Sequence, residues 1–310
     1  MSFYLALDVG GTKTDYALAD ETREIARVRT GTIKRMRTDD LTATRHLESA
    51  LDALTALSGV NMKSIRSTCI GTAGETVPLV ADWLHAAFEQ RVSGDMLLLG
   101  DVEIALDAAF PGQPGIVVIA GTGSNVAGRS HDGRLINAGG WGPALADQGS
   151  GHRIGLQALR ATFLAIDEAL DDATCARPTQ LLPAILNFWN LASREHLIEY
   201  ANSIPAPDFS ALTELVMATA EAGDATAKAV LQREGESLAY LVRLTARRLR
   251  KLAPDLEWVP SLAFTGSILE KVAPVREALM ASLRAEFPAI QTPSEVIDPI
   301  AGAIWRARNS

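Results

Sequence analysis

Leu5-Ala-Leu-Asp-Val-Gly-Gly-Thr-Lys-Thr-Asp15 decides the fold, and Val117-Val-Ile-Ala-Gly-Thr-Gly-Ser124 restates its plan further along the chain. Each is an apolar run of strand length that ends on a Gly/Thr turn and resumes as a second strand. Outward from the first, Phe3–Val9, Thr14–Ala19 and Glu24–Arg29 read as strands. Leu47, Leu51, Leu54 and Leu57 recur at helical spacing within Leu41–Ser58. A strand (Arg66–Ile70), a helix (Leu79–Gln90), a strand (Met96–Leu99) and a helix (Val102–Phe110) follow. Pro111-Gly-Gln-Pro-Gly115 is a run of turn formers and marks a boundary. The pattern then restarts with strands at Ile116–Ala120, Asn125–Arg129 and Arg134–Ala138. A largely helical stretch runs from Gly155 to about Leu252, with Asp224 as the N-cap of a long helix. A strand (Ser261–Thr265), a helix over about Ile268–Phe287 and a terminal helix (Ile300–Arg308) close the chain. The two glycine hairpins read either as a duplicated α/β fold or as two ordinary hairpins.

With 310 residues, 47% of them hydrophobic and 21% charged, the chain can bury a sizeable core, in one large domain or two. A formal charge of −8 argues against broad nucleic-acid binding, which needs a clustered basic face. No run approaches the roughly 18–20 apolar residues of a membrane span. The chain opens on a strand broken by Asp8, which does not read as a secretion signal, so a cytoplasmic protein is expected. Two cysteines, Cys69 and Cys175, cannot build a disulfide framework or a four-thiolate metal site.

The glycine turns do not match the common nucleotide or hydrolase motifs. Thr12 stands where a Walker A loop needs glycine, Val126 breaks the dinucleotide pattern after Gly121 and Gly123, and Gln148 breaks a nucleophile elbow at Ser150. The five histidines form no zinc-protease pair. In Asp8–Asp15, Gly10 and Gly11 let an oxyanion reach backbone N–H groups, Thr12 and Thr14 add hydroxyls, and Lys13 adds charge. Asp8 would repel a phosphate unless it holds Mg²⁺, usually through water; alternatively it caps a simple hairpin. Gly121-Thr-Gly-Ser124 forms a second cradle by the same logic.

Taken in order, these segments resemble the sugar-kinase/Hsp70/actin superfamily, and within it the BadF/BadG/BcrA/BcrD ATPase branch that contains N-acetylglucosamine kinase. Asp8–Thr14 is similar to its first phosphate motif, Gly100–Leu106 to the segment bearing its catalytic aspartate, and Ala120–Asn125 to its second phosphate motif. Gly139-Gly-Trp-Gly142 with Asp147-Gln-Gly-Ser-Gly151 resembles the sugar-site and hinge signature. Phe264-Thr-Gly-Ser267 resembles the adenosine turn, and Asp298–Ala303 the closing helix. The resemblance implies an α/β protein with a duplicated ribonuclease-H-like (actin/sugar-kinase) fold and a central cleft. Its domains would be 1–114 and 115–310, with a terminal helix at about 299–309 returning to the first. It implies ATP and Mg²⁺ as cofactors, a small-molecule amino sugar as acceptor (N-acetylglucosamine first, glucosamine or N-acetylmuramic acid as alternatives), and a homodimer. Asp101 would be the general base and Asp8 the metal residue. Gly10, Gly11, Thr12, Lys13, Thr14, Thr122 and Gly123 would hold the phosphates, and Gly266 and Ser267 the nucleoside. Asp101, Ser124, Asn125, Trp141 and Asp147 would face the sugar.

Two departures touch the acceptor side. Gln148 replaces the acidic residue usual after Asp147, and Gly31-Thr-Ile-Lys-Arg-Met-Arg37 is basic where N-acetylglucosamine kinases offer an asparagine. That loop reads as a solvated face, or as a reader of an acidic acceptor. Two rivals are an iron–sulfur activator of a dehydratase, which would need interfacial cysteines, and a non-catalytic sugar sensor.

Overall fold

The computed structural model describes residues 2–171, 179–253, 258–292 and 296–310; Cys175 lies outside them. They fall into two compact units, one of residues 1–117, 131–133 and 297–310, the other of 118–130 and 134–296.

The first unit is built on a five-stranded sheet. Its strands are β1 (Phe3–Val9), β2 (Lys13–Ala19), β3 (Glu24–Gly31), β4 (Ile65–Thr72) and β5 (Asp95–Leu99), in the order β3-β2-β1-β4-β5. β1 runs antiparallel to β2 and parallel to β4, and β4 is parallel to β5. Alternation along β1 assigns its two faces. Leu5, Leu7 and Val9 join the core under α1 (Asp40–Ser58) and α2 (Pro78–Arg91), with Leu47, Leu54, Leu84 and Phe88. Tyr4 and Ala6 pack on the other face, against Ile104 of α3 (Asp101–Ala109) and Ile300, Ala303 and Ala307 of the C-terminal helix (Pro299–Arg308). Asp8 continues this second series, and so lies on the face covered by α3, whose first residue is Asp101.

Two contacts seat the C-terminal helix there. A Cβ on Gly302 would lie 1.8 Å from the Ile104 carbonyl oxygen, so only glycine permits the crossing with α3. The buried Asp107 carboxylate accepts from Arg306 Nε at 2.8 Å. Losing one partner of such a buried pair typically costs about 3–5 kcal/mol.

The second unit carries β6 (Gly115–Ala120, which the unit boundary crosses), β7 (Ser124–Arg129), β8 (Leu135–Gly139) and β9 (Leu262–Thr265), in the order β8-β7-β6-β9. That order matches β3-β2-β1-β4 position for position. Helices α4 (Gly151–Asp171), α5 (Leu181–Phe188), α6 (Arg194–Ala201), α7 (Thr213–Glu221), α8 (Ala225–Arg250), α9 (Ser267–Lys271) and α10 (Ala273–Arg284) complete it. Asp224 caps α8, its carboxylate accepting from Ala227 N at 2.8 Å, and Val230, Leu238 and Leu249 bury the helix's apolar stripe. The single helix expected over 268–287 is instead two, α9 and α10. Pro274 causes the break: it has no N–H to donate and its ring would strike the preceding turn.

Candidate functional site

In the first unit, the loops after the parallel strands β1, β4 and β5 gather at their carboxyl edge, where open α/β sheets bind ligands. Gly11 and Thr12 of the β1–β2 turn are exposed. The carbonyls of this turn are occupied: Gly10 O accepts from Thr32 Oγ1 at 2.7 Å and Thr12 O from Thr32 N at 3.2 Å. Thr32 Oγ1 in turn accepts from Lys34 N at 3.0 Å. The basic loop is therefore stitched to the phosphate-type turn through its backbone, while Met36 and Arg37 keep the solvated side chains that the sequence suggests. Ile33 is fully buried, and Lys34 and Arg35 are half-buried.

Thr14 also departs from its expected role. It is buried, and its Oγ1 accepts from Ile33 N at 3.2 Å, so it secures the loop and presents no hydroxyl to a phosphate. Lys13 leans to Asp15 at 3.9 Å, which also pairs with Arg29 Nε at 2.7 Å.

Three segments meet around Asp8 and Asp101. Burial pushes the Asp8 carboxyl up to about 7, with Asp101, Asp15 and Asp298 adding repulsion that Lys13 only partly offsets. Burial also raises Asp101, helped by Glu75 and opposed by Lys34 and by Val102 N, which donates to Asp101 Oδ1 at 2.9 Å. Lys34 is itself depressed by burial and held up mainly by Asp101. The Glu75 carboxyl carbon lies 3.7 Å from where a Cβ on Gly100 would stand. Arg37 Nε lies 3.9 Å from the same position on Gly11. Glu75 escaped the sequence reading because its only signal was a glycine turn after a strand.

The second unit assembles its turns separately. Gly121 N donates to Gly123 O at 2.9 Å, and the first amides of α4 take the outward carbonyls: Gly151 N to Gly121 O at 2.8 Å, His152 N to Thr122 O at 3.3 Å. Thr122 and Gly123 remain exposed. Gly266 has φ 99°, and a Cβ there would lie 2.3 Å from the Ala120 carbonyl, which presses the β9–α9 turn against the end of β6. Ser267 Oγ is thereby brought 3.9 Å from the Cβ position of Gly121.

Asp147 is buried in a left-handed conformation (φ 63°), a strained placement that aims its Oδ2 within 3.1 Å of a Cβ position on Gly123. Ser124 is corrected as Thr14 was: it is buried, and its hydroxyl donates to Gln148 O at 2.7 Å. Asn125 packs where a Cβ on Gly140 would sit, 2.7 Å away. Its Oδ1, like Gln148 Oε1, is buried with no donor among the described residues, and such acceptors are satisfied by a water or by a ligand's donors. Trp141 is 73% exposed. His152 stacks edge-on with Phe209 at 5.4 Å, a packing role. Cys69 is fully buried and its thiol is pushed up to about 12 by burial, so it is a core residue. Among the described residues no helix is long and apolar enough to cross a membrane, and no group of three acidic, His or Cys side chains is disposed to hold a metal directly.

The chain is 26% identical over its whole length to the N-acetylmuramic acid/N-acetylglucosamine kinase of Clostridium acetobutylicum, covering 99% of that protein. It is 27% identical to the N-acetyl-D-glucosamine kinase of Dictyostelium discoideum, over 80% of this chain and 76% of that one. Its fold matches a Chromobacterium violaceum protein provisionally identified as an N-acetylglucosamine kinase, with TM-score 0.73, 25% identity and 98% of each chain covered. It also matches a ROK family glucokinase from Streptomyces griseus, at TM-score 0.58 and 16% identity over the full length of both chains, which places the α/β architecture in the actin/sugar-kinase fold. With the profile of that family matching residues 5–307, the chain belongs to the BadF/BadG/BcrA/BcrD ATPase family.

Proposed function

We propose that the protein transfers the γ-phosphoryl group of ATP to a hydroxyl of an amino sugar, N-acetylglucosamine being the first candidate and its 6-hydroxyl the acceptor atom. The observation that carries this is Asp101. It is a desolvated carboxylate at the start of α3, on the same sheet face as Asp8 and at the same strand edge as the exposed Gly11–Thr12 turn. One oxygen, Oδ1, is held by Val102 N, leaving Oδ2 for the sugar hydroxyl. A loose phosphoryl transition state needs that proton only late, so a carboxylate suffices as the base. In the first unit Gly10, Gly11 and Thr12 would receive phosphate oxygens. In the second, Thr122 and Gly123 would do the same, and Gly266 and Ser267 would seat the nucleoside. Asn125, with its unmatched Oδ1, and Asp147 would read the sugar, and exposed Trp141 would lie against it.

The residues fit Mg²⁺. Asp8 is a half-buried carboxylate whose ionisation is opposed by desolvation and by three other carboxylates, and Mg²⁺ is commonly bound through one or two carboxylates, water and substrate phosphates. When bound it would offset phosphate charge. The boundary near 114, a cytoplasmic location and a homodimer belong to the same reading; the mass in solution tests the last. Support also comes from the relatives named above, both amino-sugar kinases by name.

The test is an ATP-consumption screen over glucose, glucosamine, N-acetylglucosamine, N-acetylmannosamine and N-acetylmuramic acid. Turnover with an N-acetylated amino sugar is expected; ATP consumption indifferent to every sugar would sink the proposal.

A further inference from the structure

We infer that Arg37 is a further catalytic residue, a cationic clamp on the phosphoryl group in transit, with Lys34 as its positioning partner at the base. This rests on the kinase reading above. Arg37 stands beside the exposed Gly11 backbone, with Nε 3.9 Å from the Cβ position there. Lys34 lies within the field of Asp101 and Glu75. Among the described residues neither makes an ion pair within 4.0 Å. Their neighbours do: Lys13 and Arg29 with Asp15, Arg27 with Asp298, Arg35 with Asp40.

Their position is built. Beyond the Thr32 stitch, Arg37 N donates to Lys34 O at 2.8 Å, and Arg35 Nη1 to Thr38 O at 2.6 Å. Met36 Sδ rests 3.8 Å from the Cβ position of Gly74, anchoring the loop's far side to the β4–α2 connection. Two cations that close no ion pair among the described residues, on a backbone fixed in advance, are poised for an anion.

The charge at this edge favours such a pair. Asp101, Asp15 and Asp298 each repel the Asp8 carboxylate, and the one lysine within the turn is drawn to Asp15. An arriving triphosphate adds more negative charge. In the transfer, a bond forms between the sugar hydroxyl oxygen and Pγ while the Pγ–O bond to the β-phosphate breaks. Its electron pair leaves on ADP and the hydroxyl proton passes to Asp101. Charge on the equatorial oxygens of the moving group is what a planar, multi-donor guanidinium stabilises. A lysine cannot reproduce that fork.

The experiment compares parent, Arg37→Gln and Arg37→Lys in the full chain, with melting curves to verify folding of this exposed site. With N-acetylglucosamine, kcat should fall about 10²–10³-fold in Arg37→Gln and less in Arg37→Lys, while KM for the sugar stays near parent. N-acetylmuramic acid should show the same factor. A parent-like kcat overturns the inference. So does a loss confined to KM for the acidic sugar, which would make Arg37 a reader of the acceptor's carboxylate. A second arm needs no sugar turnover: ADP with aluminium fluoride, a mimic of the moving phosphoryl group, should bind parent at least tenfold tighter than Arg37→Gln, with ADP alone binding both equally. Equal binding of the mimic overturns the inference even if the kinase reading stands. Sugar-independent ATP turnover in the parent overturns the kinase reading and leaves this arm to decide on Arg37.

Discussion

The two glycine turns share strand order and backbone plan but not chemistry. The β1–β2 turn has its carbonyls tied down by a threonine from a long-range loop, and stands among carboxylates and two unpaired cations. The β6–β7 turn has its carbonyls tied down by the first amides of α4, and stands beside neutral amide oxygens, with Asp147 as its near carboxylate. In both, the first glycine N–H closes the turn on itself, Gly10 N to Lys13 O at 3.0 Å and Gly121 N to Gly123 O at 2.9 Å, and two carbonyls are held by distant donors. The surroundings differ: the first turn stands in a field of charged side chains, the second beside neutral amide oxygens and the Asp147 carboxylate.

The largest expected effect falls on the first turn's side. Asp101→Asn preserves the bond to Val102 N but cannot take a proton, so kcat should drop roughly 10²–10⁴-fold with ATP affinity retained. Near-normal turnover would remove Asp101 from the chemistry. Asp8→Asn should also cripple turnover, yet stabilise the ligand-free protein. A carboxyl raised from 3.8 to about 7 costs stability progressively as pH rises through that window, because the unfolded chain releases the proton first. Melting curves in EDTA should show the variant's advantage over parent growing from near zero at pH 4 to a plateau above pH 7.

On the second turn's side the effects are smaller and selective. Asn125→Ala should narrow the preference for N-acetylglucosamine over glucose, which one buried polar partner can set at about 10- to 100-fold. An unchanged ratio of kcat/KM values would move sugar recognition elsewhere. The smallest effect is a shift of a pH limb. To act as the proposed base Asp101 must be ionised, and burial raises its pKa even with Lys34 pulling it down. The acid limb of kcat/KM should therefore lie above the ordinary carboxylate range and move to higher pH in Lys34→Met. A limb moving down would reverse the assignment.

Much of this was legible in the chain because its signals are local. Apolar runs ending on glycine marked β1 and β6, and Asp101 showed itself as an acid at a strand-to-helix junction. Asp224 announced α8 by capping chemistry alone. What stayed hidden depends on distant partners. Nothing near Thr14 or Ser124 says that their hydroxyls are spent on Ile33 N and Gln148 O. Nothing near Lys34 says that Thr32 will bind its loop to a turn more than twenty residues earlier. Local polarity suggested a solvated loop, and it could not show that the loop's backbone would be tied down by tertiary hydrogen bonds.

The most direct test of the central claim is phosphorus NMR of ATP incubated with the protein, Mg²⁺ and N-acetylglucosamine. The account predicts a new sugar phosphomonoester resonance growing in step with ADP, absent without sugar and strongly suppressed in Asp101→Asn. ADP appearing with inorganic phosphate and no phosphomonoester would contradict it.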